Sequence, residues 1–485
     1  MTQFPALPQF SGQNAPSRLQ CDLFDLEIDG VLPSSLQGTW YRCGPDPQFP
    51  PMLGDDLYVN GDGMMSAFRF CGGRVHYKAR YVQTERYQAE HKAGRSLFGR
   101  YRNPFTDDPA AAGLDRGTAN TTAFWHGGKL FALKEDSLPY VLDPDTLETR
   151  GRWNFGGKLR SQTVTAHPKR DPLTGEWIFF GYEASGLASR DVAYCVANAD
   201  GELLREDWFQ VPFTSFQHDF ALTRDYVVFP VCPTIADLDR MKAGGAHWEW
   251  DGSKDTCVAV LPRNGRIDEI RWFKGPACSV FHVVNGFNEG TTVHVDLCVS
   301  KRNAFPDIAD ACGAPFDPKE GAPIVSRWTF DLAKGGEGFE SRVLSELPGE
   351  LPRIDERRAL LPTGAVFYGA LDIERSQLLA GPQGLGANTL ARLDATTGRL
   401  QTLYIDAHTT FQEPQFVPSG DGSESGHLLV VVDHHDTATA SVLVLDAAHI
   451  DSEPIARIRL PMRLRDAFHG TWVSEVARGI PDELR

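Results

Sequence analysis

Four histidines of this chain occupy matching positions in a repeating pattern and could bind one metal ion. They are His167 in TAHPK, His218 in FQHDF, His282 in VFHVVN and His469 in AFHGTW. Residues at equivalent places in successive repeats of a closed ring point at a common axis, and neutral imidazole suits iron, copper, zinc or nickel. A single histidine among the 14 of this chain is usually solvated or packed in the core. The shared phase of these four predicts a metal site instead, and His294 in TTVHVDL is the main competitor.

Glutamates at the same phase indicate how the imidazoles would be oriented. Glu350 in GELPRID and Glu413 in FQEPQF lie where the pattern supplies no histidine, and Glu135 in LKEDSLPY is a third candidate. A ligating histidine usually donates its other ring N–H to a carboxylate, which fixes its tautomer. We therefore expect these glutamates to hydrogen-bond the ligands, the alternative for each being a solvated carboxylate or a turn cap.

Cysteine usage narrows the choice of metal. The nine cysteines include no CxxC pair, which indicates neither a disulfide framework nor a zinc knuckle. Because no thiolate is expected near the axis, copper(I) and structural zinc are disfavoured. A structural zinc site is closed and tetrahedral, whereas four ligands held by a rigid ring can leave octahedral positions open. Open positions predict catalysis.

The elements that must hold these residues are short strands paired in hairpins. Seven segments show two β-rich runs around a turn of Gly, Asp or Asn, and they start 52 to 75 residues apart. The seven segments are 66–82, 141–153, 194–212, 260–276, 327–344, 390–405 and 442–461. A minimal propeller blade takes about 40–50 residues, so long loops are expected on one face. The pattern predicts an all-β chain, a seven-bladed β-propeller forming one domain over residues 1–485.

The hairpins place the candidate ligands. If each hairpin is the outer pair of a blade, the segment after it begins the first strand of the next blade, and the four histidines follow hairpins two, three, four and seven. The last segment, FHGTW, must then pair with strands from the N-terminal region, GTWYRCGP and SAFRFCGG, which closes the ring. A short extension of about residues 1–20 precedes the ring, and segments 83–118 and 232–252 are expected to be capping loops. Within them, 233–244 is the best short helix.

Composition excludes several functions. A formal charge of −16 argues against nucleic-acid binding, which needs a basic face. No apolar run approaches the roughly 18 residues of a membrane-spanning helix, and the N-terminus lacks the pattern of a secretory signal. We therefore expect a cytoplasmic protein without stable membrane insertion. A homodimer is one possible oligomeric state.

The quoted motifs resemble the carotenoid cleavage oxygenase family, in particular its lignostilbene dioxygenase subgroup. The resemblance covers nearly the whole chain, from NGDGMMSAFRF at residue 60 to the terminal FHGTW. It implies Fe(II) on the axis of a seven-bladed propeller, held by the four histidines, with Glu135, Glu350 and Glu413 hydrogen-bonding the ligands. It also implies cleavage of the central C=C bond of a 4-hydroxystilbene by O2, giving two aromatic aldehydes.

The resemblance assigns the substrate contacts as well. Tyr101 and Lys134 fall where relatives contact the phenolic oxygen of a stilbene, and an ammonium beside a phenol would favour phenolate character. Lys134 and Glu135 can serve the same site only if their strand bends or ends there. Relatives carry phenylalanine where this chain has Val59, and Phe305 in RNAFPDI is expected to be an aromatic wall of the cleft.

Two alternatives remain open from the sequence. The first is cleavage of a carotenoid or apocarotenoid, whose enzyme tends to present an apolar entrance; the capping segments 83–118 and 232–252 are mixed in charge, which favours a small aromatic substrate. The second is an iron-free binding scaffold, which would leave the phase of the histidines and glutamates unexplained. Metal analysis separates the second alternative from an enzyme.

Overall fold

A computed structural model describes residues 3–375, 386–419 and 425–478 of the chain, and the regular secondary structure of these residues is almost entirely β-strand. The strands of these residues, numbered in chain order, are β1 (Cys21–Leu23), β2 (Ile28–Gly30), β3 (Gly38–Pro45), β4 (Gly63–Cys71), β5 (Arg74–Tyr81), β6 (Thr122–His126), β7 (Lys129–Leu133), β8 (Tyr140–Leu142), β9 (Thr149–Arg152), β10 (Lys169–Arg170), β11 (Trp177–Tyr182), β12 (Asp191–Ala197), β13 (Leu203–Gln210), β14 (Ala221–Leu222), β15 (Tyr226–Val231), β16 (Thr234–Ala236), β17 (Trp248–Trp250), β18 (Thr256–Pro262), β19 (Arg271–Gly275), β20 (Ser279–Glu289), β21 (Thr292–Ser300), β22 (Ile324–Asp331), β23 (Glu340–Val343), β24 (Gly349–Arg353), β25 (Ala365–Ala370), β26 (Thr389–Asp394), β27 (Leu400–Leu403), β28 (Thr409–Phe411), β29 (Gln415–Pro418), β30 (Gly426–His434), β31 (Thr439–Asp446), β32 (Ala456–Leu460) and β33 (His469–Ser474).

Helical structure is scarce in the same residues. The α-helices are α1 (Glu85–Ala93) and α2 (Leu238–Lys242). Single 3-10 turns lie at Pro8–Phe10, Gly12–Asn14, Tyr58–Asn60, Pro104–Thr106, Pro109–Ala111, Phe155–Gly157, Ile267–Glu269 and Glu356–Arg358. No helix in the described part of the chain is long and apolar enough to cross a membrane.

All seven predicted hairpins are present as neighbouring strands. They are β4–β5, β8–β9, β12–β13, β18–β19, β22–β23, β26–β27 and β31–β32. The turn of the first hairpin, β4–β5, shows why the chain reverses direction there. Cys71 pairs with Arg74 across Gly72 and Gly73, whose φ angles of 57° and 75° suit the type I′ turn that matches strand twist.

The chain forms two compact units, and the first contains the described residues of Met1–Trp153, Phe367–Arg392 and Gln401–Arg485. In this unit β33 pairs antiparallel with β3, which pairs with β4. The predicted pairing of the C-terminal segment with the N-terminal region is therefore confirmed. Trp40 and Tyr41 of β3 are both fully buried and belong to two different apolar clusters, one on each face of the sheet.

N-terminal strands correct one expectation in this unit. The first and seventh hairpins are not the outer pairs of their sheets, because β1 pairs with β5 and β2 pairs with β32 on the far side. The short runs Cys21–Leu23 and Ile28–Gly30 are only three residues each, too short to give a period-2 signal.

The second unit contains Asn154–Val366 and Leu393–Leu400. Its sheets follow the orders β10-β11-β12-β13, β14-β15-β18-β19 and β20-β21-β22-β23, with β16–β17 as a separate hairpin. Alternate valines of β18 and β21, Val258, Val260, Val293 and Val295, are fully buried with Trp328 between neighbouring sheets. Burying each such side chain contributes about 1.5–3 kcal/mol.

A further sheet has the order β24-β25-β26-β27. The sheets follow one another in chain order, and the segment after each of six predicted hairpins begins the first strand of the next group, as expected. This order is consistent with seven blades, and the complete ring stays a prediction.

The two expected capping segments contain more regular structure than predicted. Segment 83–118 contains α1, which begins after Thr84, whose side chain accepts from the Tyr87 N–H, and ends at Gly94 with φ 67°. Its apolar residues are too few to give a helical period. In 233–244 the helix is shorter than predicted, because Thr234–Ala236 is strand β16 and only Leu238–Lys242 is helical.

Candidate metal centre and substrate-binding residues

Three of the four predicted histidines form a cluster in the second unit. His167 lies two residues before β10, His218 lies three residues before β14, and His282 lies within β20. The Nε2 atoms of His167 and His218 are 2.8 Å apart. The centroid of the His282 ring is 4.9 Å from that of His167 and 5.1 Å from that of His218. Metal–imidazole bonds are about 2.0–2.1 Å long, so two ligands at right angles on one metal would be about 2.9 Å apart. The His167–His218 distance fits that arrangement.

A β-bulge explains how His282 reaches the cluster. Val280 pairs with Val299 and Val283 pairs with Leu297, so Phe281 and His282 together lie opposite the single residue Cys298. A bulge re-aims side chains that would otherwise point to opposite faces. The rings of Phe281 and His282 therefore both lie beside His218. Phe281 stacks on His218 with centroids 3.9 Å apart and lies 4.4 Å from His282.

Carboxylates lie within hydrogen-bond distance of two of the imidazoles. Nδ1 of His282 lies 2.6 Å from Glu350 Oε2, in β24 of the same unit. In the first unit Nδ1 of His469 lies 2.7 Å from Glu413 Oε1, whose other oxygen accepts from the Gly470 N–H at 2.8 Å. When Nδ1–H donates to a carboxylate, Nε2 keeps its lone pair for a metal. Both rings are thus set in the tautomer that a metal ligand needs.

The four predicted histidines, His167, His218, His282 and His469, are a group of described residues that could hold a metal ion, and all but His167 are buried. Four neutral nitrogen donors, two of them oriented by carboxylates, fit a transition-metal site. The competitor His294 packs elsewhere on β21, where its Nδ1 lies 3.0 Å from Thr329 Oγ1 and its ring stacks on Phe287. Burial lowers the pKa of His294, as expected for a strand residue.

Lys134 and Tyr101, predicted to bind the phenolic end of the substrate, lie together in the first unit. Lys134 Nζ is 5.3 Å from the centroid of the Tyr101 ring, and both residues are buried. Strand β7 ends at Leu133, so Lys134 and Glu135 lie in the turn that follows. Because the strand ends before them, Lys134 and Glu135 are not forced to point to opposite faces of the sheet. Glu135 is buried, and its role toward the histidines stays a prediction.

The hydrogen bonds of Lys134 leave one ammonium proton for a ligand. Nζ donates to the Val59 carbonyl at 3.1 Å and to Asn120 Oδ1 at 3.3 Å. Asn120 is fully buried and donates in turn to the carbonyls of Val59 and Gly61. An ammonium has three donors, and among the described residues no carboxylate forms an ion pair with it. Val59 therefore contributes its backbone carbonyl. Asn120, which no sequence pattern singles out, also accepts from Lys134.

Tyr101 is held as a neutral phenol. Burial, followed by the nearby Glu135 carboxylate, raises the pKa of Tyr101 well above its usual value of 10.0. Because it stays protonated, its hydroxyl can donate a hydrogen bond.

Phe305 belongs to an aromatic cluster in the second unit. Its ring lies 4.8 Å from Phe281, edge to face, and 6.1 Å from Phe216. Phe216 stacks on Trp248 with centroids 5.0 Å apart. No sequence pattern singles out Phe281, Phe216 or Trp248, because isolated aromatic residues usually indicate core packing. The predicted aromatic wall at Phe305 therefore extends through Phe281 to the ring of His218.

Known proteins are similar to this chain over nearly its full length. The family model for the retinal pigment epithelial membrane protein, RPE65, matches residues 14–474. The chain is 42% identical to the lignostilbene-alpha,beta-dioxygenase isozyme III of Sphingomonas paucimobilis over 483 residues, 97% of this chain and 98% of that protein. It is also 42% identical to the isoeugenol monooxygenase of Pseudomonas nitroreducens, over 96% of this chain and 98% of that protein. The crystal structure of Pseudomonas brassicacearum lignostilbene dioxygenase superposes with a TM-score of 0.95 at 43% identity, covering 98% of this chain and 100% of that one.

Proposed function

The chain belongs to the RPE65 or carotenoid cleavage oxygenase family, and we propose that it is an Fe(II) dioxygenase acting on 4-hydroxystilbenes. The central double bond would be cleaved to give two aromatic aldehydes, so that C=C and O2 become two C=O groups. The single observation that carries the choice of substrate is the buried Lys134 ammonium with a free donor beside Tyr101.

The metal part of the proposal rests on the histidine group. His167, His218, His282 and His469 would hold the ion through neutral nitrogen, and Glu350 and Glu413 fix the rings of two of them. Fe(II) bound there would supply the activation of O2. Iron is favoured because the group contains no thiolate and has four ligands, which leaves octahedral positions for reactants. We extend the same orienting role to Glu135.

The substrate's 4-hydroxyl would be bound by Lys134 and Tyr101. A buried cation favours the ionised form of a neighbouring acid, so the ammonium would lower the pKa of a bound phenol. The protonated Tyr101 hydroxyl would donate to the same oxygen. A phenolate pushes electron density through the conjugated system to the central double bond, which makes that bond the electron-rich reactant.

The rest of the stilbene is apolar and requires aromatic surface. We assign this role to Phe305, which lies against Phe281 and Phe216. Val59, whose carbonyl accepts from Lys134, would flank the phenolic ring with a smaller side chain than the phenylalanine of relatives. A smaller side chain there leaves room for ring substituents beside the hydroxyl.

Carotenoid or apocarotenoid cleavage is the weaker alternative. A hydrocarbon chain gains nothing from a buried ammonium, whose desolvation costs stability unless a ligand uses it. We also propose a cytoplasmic location, because all nine cysteines are free thiols, the form maintained in reducing compartments.

A substrate panel under labelled O2 tests the proposal. Iron-loaded protein would be given 4-hydroxystilbene, 4-methoxystilbene or an apocarotenal, and the aldehydes and their label would be identified by mass spectrometry. We expect two labelled aldehydes from 4-hydroxystilbene and at least about tenfold slower cleavage of 4-methoxystilbene, which cannot ionise and would lose a charged hydrogen bond. Equal rates for the two stilbenes, or faster cleavage of the apocarotenal, would contradict the assignment.

A further inference from the structure

Asp219 follows His218 directly and contacts both other histidine-bearing segments of the second unit. Its side chain is only 2% exposed. Oδ1 lies 2.7 Å from Lys169 Nζ, two residues after His167. Oδ2 accepts from the N–H of Val283, the residue after His282, at 2.8 Å. One carboxylate therefore joins the three segments that carry His167, His218 and His282.

The contact with Val283 stabilises the bulge that aims His282. A bulge leaves ladder groups of the strand without their regular partners, and the register of β20 with β21 is irregular on both sides of Val283. The Asp219 carboxylate accepts the Val283 N–H at that point. A hydrogen bond donated to a charged acceptor is stronger than one between neutral groups, and this one fixes the local backbone.

The contact with Lys169 fixes the segment of His167. Lys169 is the first residue of β10, a strand of only two residues, so the sheet alone holds this segment weakly. Its ammonium also lies 5.6 Å from the centroid of the Phe220 ring, next to Asp219. The remaining lone pair of Oδ1 accepts from the Phe220 N–H at 2.7 Å. The buried carboxylate is thus satisfied on both oxygens, which is the condition for a buried charge to be structurally specific.

We propose that Asp219 is a positioning residue of the metal centre. It sets the relative positions of His167, His218 and His282 through the segments that carry them, without binding the metal itself. Ligand positions in a metal site must be held within about 0.5 Å, and their supporting contacts determine affinity. The inference rests on the metal site of the proposed function and is independent of its substrate.

The pair Asp296–Arg327 offers a matched control in the same unit. Asp296 is fully buried in β21, and its carboxylate binds the Arg327 guanidinium at 2.6 and 2.8 Å. Removing its charge breaks a buried pair of the same kind. The side chain of Asp296 makes no hydrogen bond to a histidine-bearing segment in the part of the chain that the structure describes. A purely structural effect of losing a buried charge will therefore appear in both variants.

The test compares metal binding with stability in Asp219→Asn, Asp219→Ala, Lys169→Met and Asp296→Asn. Co2+ affinity would be measured by chelator competition, ligand geometry by the visible spectrum of the Co2+ protein, and stability by thermal unfolding. We expect the Asp219 variants to bind Co2+ about 10- to 100-fold more weakly, as for other residues that support ligands, with an altered spectrum. Lys169→Met should show a smaller effect in the same direction, and Asp296→Asn should lower Tm with wild-type affinity.

Each outcome decides the inference. Wild-type affinity and spectrum in Asp219→Asn, with Tm lowered as in Asp296→Asn, would overturn it. If Asp219→Ala does not fold, the isosteric Asn variant and the partly exposed Lys169 variant decide in its place. If the wild-type protein itself binds no Co2+ or Fe2+, the metal site of the proposed function fails, which is a different result from equal binding by wild type and variants.

Discussion

At the scale of residues, the chemistry depends on which groups are left with capacity to bind. His282 and His469 donate Nδ1–H to glutamates and keep Nε2 for a metal. Lys134 uses two of its three donors on neutral oxygens. The histidines thus offer neutral nitrogens, which can bind a metal cation, and Lys134 offers a positive charge, which can bind a phenolate.

Replacing Lys134 by Met tests the second of these. The variant keeps an unbranched side chain that is one atom shorter and removes the charge, so we expect kcat/KM for 4-hydroxystilbene to fall about 10- to 150-fold, the cost of losing a charged hydrogen bond. Iron content should be unchanged. Steady-state kinetics and metal analysis on the same preparation measure both, and wild-type activity would remove Lys134 from the mechanism.

A pH effect is expected from Asp62, which is buried in the first unit. Burial, followed by the Glu90 carboxylate, raises the pKa of Asp62 to about 7. Since the unfolded residue ionises near 3.8, the folded state holds more protons between these values, and the contribution of Asp62 to stability falls as pH rises toward 7. Asp62→Asn should therefore gain Tm relative to wild type between pH 5 and pH 8. A difference in Tm that does not vary with pH would contradict the raised pKa.

At the scale of elements, β33 joins the C-terminal part of the chain to the N-terminal region and carries one of the proposed metal ligands. It pairs with β3, and its first residue is His469. Gly470 lies where a Cβ would be 2.6 Å from Trp40 Nε1 and 2.7 Å from the Tyr41 carbonyl. The close packing of β33 on β3 thus requires glycine directly beside a proposed ligand.

Gly470→Ala should consequently destabilise the protein. Overpacking costs about 1–3 kcal/mol, and the displaced backbone would also weaken the Gly470 N–H bond to Glu413. The matched control is Gly364→Ala, where a Cβ would meet nothing within 4 Å. Thermal unfolding should separate the two variants, and equal Tm values would show that β33 tolerates the extra methyl group.

At the scale of the whole molecule, the sequence predicted what depends on repetition. Hairpins recur, so their turns and the histidines after them could be found from spacing alone. Strands β1 and β2 and helix α1 are short and lack periodicity, so no sequence pattern predicts them. Asn120 and Asp219 act through contacts between residues distant along the chain, such as Asp219 with Val283, and no single-sequence pattern contains such contacts.

The four-histidine metal centre is tested by the iron content of wild type and His282→Ala after anaerobic loading with Fe2+ and desalting. We expect close to one iron per chain for wild type and little for the variant, whose Tm should show that it is folded. The cleavage of 4-hydroxystilbene should follow the iron. A wild-type protein that retains no iron, or a His282→Ala variant that retains a full equivalent, would contradict the four-histidine metal centre.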